Sequence, residues 1–177
     1  MRVAIICVAV LLAAIAGLLV LQLVQYSRKE AAHDWVDANN GFIPSGAVVG
    51  GYEAGPGREA LFICRAPVNG GIYPGKVRQA FGSCRIAFDG AAMGVPTYQV
   101  LMMANASWVA GQDGALPTNA YEAGKEFPPS DEKLYVCRAL YRGGIHPGRI
   151  TTTSQHCDIE WGGKEIMGTS YEILLSK

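Results

Sequence analysis

The stretch GGIYPGKV at residues 70–77 returns 73 residues later as GGIHPGRI at residues 143–150. Extending the same offset in both directions aligns residues 35–102 with residues 108–175 without a gap. The alignment holds 23 identities over 68 positions, far more than chance would give, so the chain carries a tandem internal repeat. A unit of this length is small for a hydrophobic core of its own. We therefore expect two pseudo-twofold-related copies around one shared core.

Strand-like segments occur at matching places in the two copies. They mix apolar, aromatic and β-branched residues, and turns rich in Gly and Pro separate them. The predicted strands are residues 61–65, 84–88 and 98–102, with residues 134–138, 157–161 and 171–175. After residue 36 the sequence shows no sustained helical period with caps. The predicted fold class is all-β, preceded by an N-terminal apolar helix.

The apolar helix is expected within residues 1–25. Residues 3–24 contain Gln22 as their one strongly polar member, and about 20 apolar residues span a bilayer as a helix. We favour an uncleaved transmembrane signal anchor over a signal peptide cleaved after Ala16. Residues 26–34 would form a stalk. The β domain, residues 35–177, would then be membrane-anchored through residues 3–24 or secreted.

Charge and cysteine content limit the kinds of partner that the domain is expected to bind and bear on the compartment in which it folds. Residues 31–177 carry 12 Lys and Arg against 14 Asp and Glu, so no nucleic acid partner is expected. Each copy holds two Cys separated by 20 positions. Outside the cytosol Cys64–Cys84 with Cys137–Cys157 is the simplest of three disulfide pairings, and buried free thiols are the alternative.

Several side chains keep their chemistry in both copies. The ionisable pairs are Glu53 and Glu126, Glu59 and Glu132, Arg65 and Arg138, and Lys76 and Arg149. A carboxylate beside a cation offers a sugar hydroxyl an acceptor and a donor together, whereas a surface ion pair contributes only ~0–1 kcal/mol. We expect Arg65 and Arg138 to tie the copies together through carbonyls or carboxylates. Glu59 and Glu132 are expected to be solvated, and Trp35 and Trp108 to anchor the core.

The motifs of both copies resemble those of the DM-nine repeat family. In the first copy they are Trp35-Val36, Pro44-Ser45-Gly46-Ala47-Val48-Val49-Gly50-Gly51, Ile63-Cys64-Arg65-Ala66, Pro74-Gly75-Lys76, Cys84-Arg85-Ile86 and Tyr98-Gln99-Val100-Leu101. In the second copy they are Trp108-Val109, Val136-Cys137-Arg138-Ala139, Pro147-Gly148-Arg149, Cys157-Asp158-Ile159, Gly162-Gly163 and Tyr171-Glu172-Ile173-Leu174. The resemblance covers residues 35–175.

The resemblance implies an all-β carbohydrate-recognition protein with one site in each repeat. In family members that are mannose-binding lectins, an acidic residue after the Gly-Gly segment and the Lys of Pro-Gly-Lys contact the sugar. The matching positions are Glu53 with Lys76, and Glu126 with Arg149. Glu replaces the usual Asp, the second basic residue is Arg, and Gly50-Gly51 becomes Ala123-Gly124 in the second copy.

Aromatic residues beside these positions are candidates for the rim of the first site. Tyr52 and Tyr73 are next to Glu53 and Lys76 in the motifs, whereas the second copy has Lys125 and His146 instead. The two sites are therefore expected to differ chemically.

No sequence motif indicates catalysis or a cofactor. The chain has no Gly-x-Ser-x-Gly elbow, phosphate loop or dinucleotide fingerprint, and its His and Cys residues lack a tight metal-ligand spacing. The first hypothesis is a non-catalytic, lectin-like module that binds a glycan at or beyond a membrane, and the resemblance implies a mannose-type glycan. The alternative is a structural or protein-interaction domain that mediates oligomerisation, including homo-oligomerisation, at a membrane.

Overall fold

The computed structural model describes Gly17 and residues 34–176. Apart from Gly17, the predicted apolar helix at residues 1–25 and its membrane segment at residues 3–24 lie outside the described residues. So does the predicted stalk, except for Asp34. No helix in the described part of the chain is long and apolar enough to cross a membrane.

The repeat domain is all-β, as the sequence predicts. The first copy contains β1 (Trp35–Asn39), β2 (Val49–Tyr52), β3 (Ala60–Val68), β4 (Gly71–Val77), β5 (Cys84–Phe88), β6 (Ala91–Val95) and β7 (Thr97–Leu101). The second contains β8 (Trp108–Gln112), β9 (Glu122–Lys125), β10 (Lys133–Tyr141), β11 (Gly144–Ile150), β12 (Cys157–Trp161), β13 (Lys164–Gly168) and β14 (Ser170–Leu174). Each strand of the second copy begins and ends 73 residues after its counterpart. A 3-10 turn at Gln79–Phe81 follows β4.

A closed ring of six antiparallel strands joins the two copies. Around the ring β3 pairs with β2, β2 with β11, β11 with β10, β10 with β9, β9 with β4, and β4 with β3. Two of these pairings cross between copies, at Tyr52 with Ile145 and at Ile72 with Lys125. The 73-residue offset converts one crossing into the other. In each crossing a strand of one copy pairs with a strand of the other, so both copies are needed to close the ring.

Glycine makes both crossings possible. A Cβ atom on Gly51 would lie 1.9 Å from the carbonyl oxygen of Ile145, and one on Gly124 would lie 2.0 Å from that of Ile72. Only a residue without a side chain lets two backbones approach so closely. The second glycine of the Gly-Gly segment thus has a structural role in joining the copies.

The two copies share part of their hydrophobic interior. One cluster of buried residues draws from both and contains Val48, Ile63, Leu101, Tyr121, Ala123, Val136 and Leu174. Trp35 and Trp108 pack against this cluster, so the prediction that they anchor the core is confirmed. Two further clusters lie within the first and second copies, and Leu134 of the second copy joins the first of them.

Two arginines fasten the copies to each other. Arg65 donates a hydrogen bond to the carbonyl oxygen of Ala123 at 3.0 Å, and Arg138 donates one to that of Gly50 at 3.3 Å. Their guanidinium carbons lie 4.3 and 4.0 Å from the ring centroids of Trp35 and Trp108. The prediction that these arginines tie the copies together through carbonyls is confirmed.

Each copy also contains one disulfide. Cys64 is bonded to Cys84 and Cys137 to Cys157, with Cα–Cα distances of 5.9 and 6.0 Å. All four residues are fully buried. The first bond joins β3 to β5 and the second joins β10 to β12, so each disulfide constrains its own copy.

Replacing Gly51 with alanine should destabilise the junction between the copies. The added Cβ would collide with the backbone of β11, and we expect the free energy of unfolding to fall by about 1–3 kcal/mol or more. Urea denaturation measures this decrease in the free energy of unfolding. The control is Gly57→Ala, because a Cβ on Gly57 meets nothing within 4 Å. Equal stability of the two variants would contradict this role for Gly51.

Candidate functional site

A polar cavity lies where the two copies meet. It has a volume of about 590 Å³ and opens to solvent. The loop from Glu53 to Glu59 forms one wall, and β4, the 3-10 turn and β5 form another. The third wall, residues 160–163, comes from the end of β12 and the turn that follows it in the second copy. The first site is therefore built by both copies.

Lys76 lies at the bottom of this cavity and is only 1% exposed. Its Nζ donates to the carbonyl oxygen of Glu160 at 2.6 Å and lies 3.2 Å from Oε2 of the same residue. The third neighbour of Nζ is Nδ1 of His146, at 3.0 Å. All three ammonium N–H groups thus have acceptors within the protein, and both acceptor residues belong to the second copy.

Burial changes the titration of the two basic groups. It lowers the pKa of Lys76 below its ordinary value, although the nearby carboxylates of Glu160 and Glu53 act in the opposite direction. Burial and the charge of Lys76 together lower the pKa of His146 to about 4. His146 is therefore a neutral imidazole at physiological pH and can accept a hydrogen bond from Lys76.

Glu53 and Arg85 both line the cavity with unpaired side chains. Glu53 is half-buried, and its carboxylate has no hydrogen-bond or ion-pair partner among the described residues. Arg85 is half-buried too, and the described part of the chain offers its guanidinium no carboxylate or carbonyl partner. The cavity thus presents an unpaired acceptor group and an unpaired donor group.

The cations of the first site gather around Phe81. The ring centroid lies 4.4 Å from the guanidinium carbon of Arg78, 5.6 Å from that of Arg85 and 6.0 Å from Nζ of Lys76. Arg78 also forms an ion pair with Glu59. Glu59 is exposed, as expected, but it is not merely solvated because it holds Arg78 at the cavity wall.

The basic residue of the second site is already surrounded by acceptors. Arg149 contacts Glu165 at 2.8 Å and Asp158 at 3.4 Å, and its Nη1 lies 4.0 Å from Glu126. Its Nε donates to the carbonyl oxygen of Ala87 at 3.2 Å. A smaller cavity of about 320 Å³ lies above this network. The predicted pair of Glu126 and Arg149 is therefore brought together, but the arginine is shared among three carboxylates.

Glu132 has no free carboxylate either. It accepts hydrogen bonds from the hydroxyl groups of Thr152 and Thr153 and from the backbone N–H of Thr153. Burial raises the pKa of Glu132, but these hydrogen bonds outweigh burial and lower it overall. Glu132 therefore holds the segment after β11, as Glu59 holds Arg78 after β4, and the expectation that it is only solvated needs this correction.

The structure separates the two predicted rim tyrosines from the first site. Tyr73 is 1% exposed and lies beside Arg149, 5.7 Å from its guanidinium carbon. Its hydroxyl accepts a hydrogen bond from the backbone N–H of Phe127 at 3.1 Å. Successive side chains of a strand point to opposite faces, so Tyr73 and Lys76, three positions apart on β4, face different sites. Tyr52 lies outside the cavity lining and stacks beneath Arg58.

Sequence reasoning missed the residues that each copy contributes to the other's site. His146, Glu160 and Trp161 belong to the second repeat but surround Lys76 or line its cavity. No local motif indicates this, because the contribution follows from the crossing of β2 and β11.

Within the described residues no group of three or more His, Cys, Asp or Glu could hold a metal ion.

Comparison with known families and proteins gives one match. The sequence model described as DM9 repeat matches residues 18–95, 56–166 and 128–177. The comparison with curated proteins finds no match.

Removing the Lys76 side chain should destabilise the domain strongly. Lys76→Ala leaves the largely buried carboxylate of Glu160 without its cation, and losing one partner of a buried pair costs about 3–5 kcal/mol. Urea denaturation should show the loss. Lys133→Ala is the control, because Lys133 pairs with Glu122 on the surface and its loss should change stability little. A small effect at Lys76 would mean that the buried pair is not needed for folding.

His146 should make the stability of the domain depend on pH. Its pKa is about 4 in the folded state and about 6.5 when unfolded, so the unfolded state binds the proton first as the pH falls. The contribution of His146 to the free energy of unfolding is fully present above pH 6.5. It should fall by about 3 kcal/mol between pH 6.5 and pH 4. His146→Tyr installs the residue of the first copy. Urea unfolding of both proteins across this range should show a shallower decline for the variant, and identical slopes would contradict the assignment.

Proposed function

The chain belongs to the DM9 repeat family, and from this membership we propose that its repeat domain is a non-catalytic carbohydrate-binding module. The primary binding site in this proposal is the cavity between the copies that contains Glu53, Arg85 and Glu160. The apolar segment at residues 3–24 would display the module at a membrane or send it across one.

One observation carries the proposal: a free carboxylate, Glu53, and a free guanidinium, Arg85, line the same open cavity. A sugar hydroxyl both donates and accepts hydrogen bonds, so this pair can engage adjacent hydroxyl groups with charge-assisted strength. Trp161 lines the cavity as well, and an aromatic ring can cover the apolar C–H surface of a sugar. The volume of about 590 Å³ lies within the usual range for small-ligand sites.

Lys76 serves this site mainly by positioning Glu160. Its ammonium group is buried and its N–H groups are directed at Glu160 and His146. The resemblance to lectins of the family implies sugar contact at this position. In the proposed site Lys76 fixes Glu160 on the cavity wall, and Glu53 and Arg85 make the first contacts with the ligand.

The second site is proposed as the weaker one. Arg149 is occupied by Glu165, Asp158 and Glu126, so a ligand would have to displace carboxylates from it. Phe88 and Phe127 line the smaller cavity there and offer aromatic surface. Two unequal sites on one domain would still increase avidity on a repetitive glycan surface.

The carboxylates of the first cavity favour binding over hydrolysis. Glycoside hydrolysis commonly requires two carboxyl groups, one on each side of the scissile bond. Glu59 is paired with Arg78 and Glu160 with Lys76, which leaves Glu53 as the one unpaired carboxylate among the described lining residues. None of those lining residues is a Ser, Thr, Cys or His that could act as a nucleophile or base.

A structural or protein-interaction role is the second candidate. The deep burial of Lys76 and its contacts with Glu160 and His146 favour it, because such a cross-link between copies stabilises the fold without any ligand. Exposed apolar side chains at Phe42, Leu140 and Met167 would serve a protein partner or a second copy of the chain. In that case the cavity residues could be exchanged without loss of function.

A glycan array separates the two candidates. The full chain in a mild detergent should bind, and Glu53→Gln should weaken binding by about tenfold or more because a charge-assisted acceptor is lost. Glu122→Gln is the matched control, since Glu122 is an exposed glutamate that pairs with Lys133 outside the cavity. Absence of binding to every glycan would refute the lectin proposal and leave the protein-interaction role.

A further inference from the structure

The two sites of this domain occupy equivalent positions but carry opposite charge. The first cavity is lined by four cationic side chains, Arg58, Lys76, Arg78 and Arg85, and by three carboxylates, Glu53, Glu59 and Glu160. The positions related to these lining residues by the 73-residue offset hold one cation, Arg149, and five carboxylates, Asp89, Glu126, Asp131, Glu132 and Asp158. The fold therefore contains the same site twice, once with an excess of positive charge and once with an excess of negative charge.

The contrast is sharpest at one pair of facing residues. In the first copy Lys76 on β4 is directly opposite Arg85 on β5, whereas in the second Arg149 on β11 is opposite Asp158 on β12. Like charges in facing positions destabilise a sheet, and opposite charges stabilise it. Glu160 compensates Lys76, but Arg85 has no carboxylate partner in the described part of the chain. The first copy therefore holds an uncompensated cation where the second copy holds an internal ion pair.

Arg85 lies beside an aromatic ring at the cavity wall. Its guanidinium lies near the ring of Phe81, and Arg78 packs on that ring at a shorter distance. The equivalent of Phe81 in the second copy is Ser154, so the second site has no aromatic ring at this position. A planar guanidinium that lines a cavity and has no carboxylate or carbonyl partner suits a carboxylate or sulfate oxygen of a ligand.

We propose that the first site selects acidic saccharides, and that Arg85 pairs with the carboxylate or sulfate group of the sugar. Glu53 accepts hydrogen bonds from neutral hydroxyl groups of the same residue of the glycan. The second site does not share this preference because Asp158 already occupies the equivalent place beside Arg149. The identification of the ligand as a saccharide rests on the proposed function, whereas the preference for an anion rests on the charges of the cavity.

Titration calorimetry with the full chain in a mild detergent tests this selectivity. The probes are glucuronic and galacturonic acid against glucose and galactose, with glucose 6-sulfate and inorganic sulfate as further ligands. The acidic sugars should bind at least about tenfold more tightly than their neutral counterparts, which is the effect of one charge-assisted contact. The preference should decrease as ionic strength rises.

Variants at position 85 show whether Arg85 is responsible. Arg85→Gln should remove the preference for acidic sugars, because it should weaken binding of acidic sugars by a larger factor than binding of neutral sugars. Arg85→Asp installs the residue of the second copy, which can pair with Lys76 as Asp158 pairs with Arg149, and it should also abolish the preference. Lys133→Gln removes a positive charge outside the cavity and should leave the preference intact.

The outcomes that overturn the inference are distinct from those that overturn the proposed function. Binding of no saccharide at all would refute the lectin proposal itself. Equal affinity for neutral and acidic sugars, or a preference that survives Arg85→Gln, would refute only the selectivity. Inorganic sulfate that binds as tightly as glucose 6-sulfate would show that the sugar contributes nothing, and it would overturn the saccharide assignment.

Discussion

The close approach of two backbones at Gly51 and Gly124 is the contact on which the rest of the structure depends. At these glycines β2 of one copy reaches the carbonyl group of Ile145, and β9 of the other reaches that of Ile72. The six-stranded ring closes only because both crossings form. Arg65 and Arg138 reinforce the same junction by bonding carbonyls across it. Each site consequently contains side chains from both repeats.

Duplication has given this domain two sites that share a backbone but differ in chemistry. At one site the interior ion pair forms between copies, from Lys76 to Glu160, and leaves Arg85 unmatched. At the other the arginine is neutralised by acids on β12 and β13 of its own copy, Asp158 and Glu165. Exchanging a few residues on an unchanged sheet therefore alters what each cavity can recognise.

The sequence predicts β3, β5 and β7 with their counterparts, and the joining residues, because these follow from local patterns. It is wrong for β4 and β11, whose Gly and Pro residues indicate turns. The repeat offset, the apolar strands, and the roles of Arg65 and Trp35 all follow from periodicity and from their recurrence in both copies. The site is less predictable. Closeness in sequence predicts Tyr73 at the same site as Lys76, but an odd separation along a strand places them on opposite faces. His146 and Glu160 could be found only from the topology, since they lie 70 and 84 positions from Lys76.

The reciprocal strand exchange also bears on how such a domain can arise. A chain with only one repeat would expose both the β2 edge that needs a partner and the β4 edge that provides one, so two identical chains could satisfy each other as a symmetric homodimer. Joining the genes end to end makes that association intramolecular and independent of concentration. The two halves can then also diverge in sequence, since a mutation in one half is no longer copied into the other.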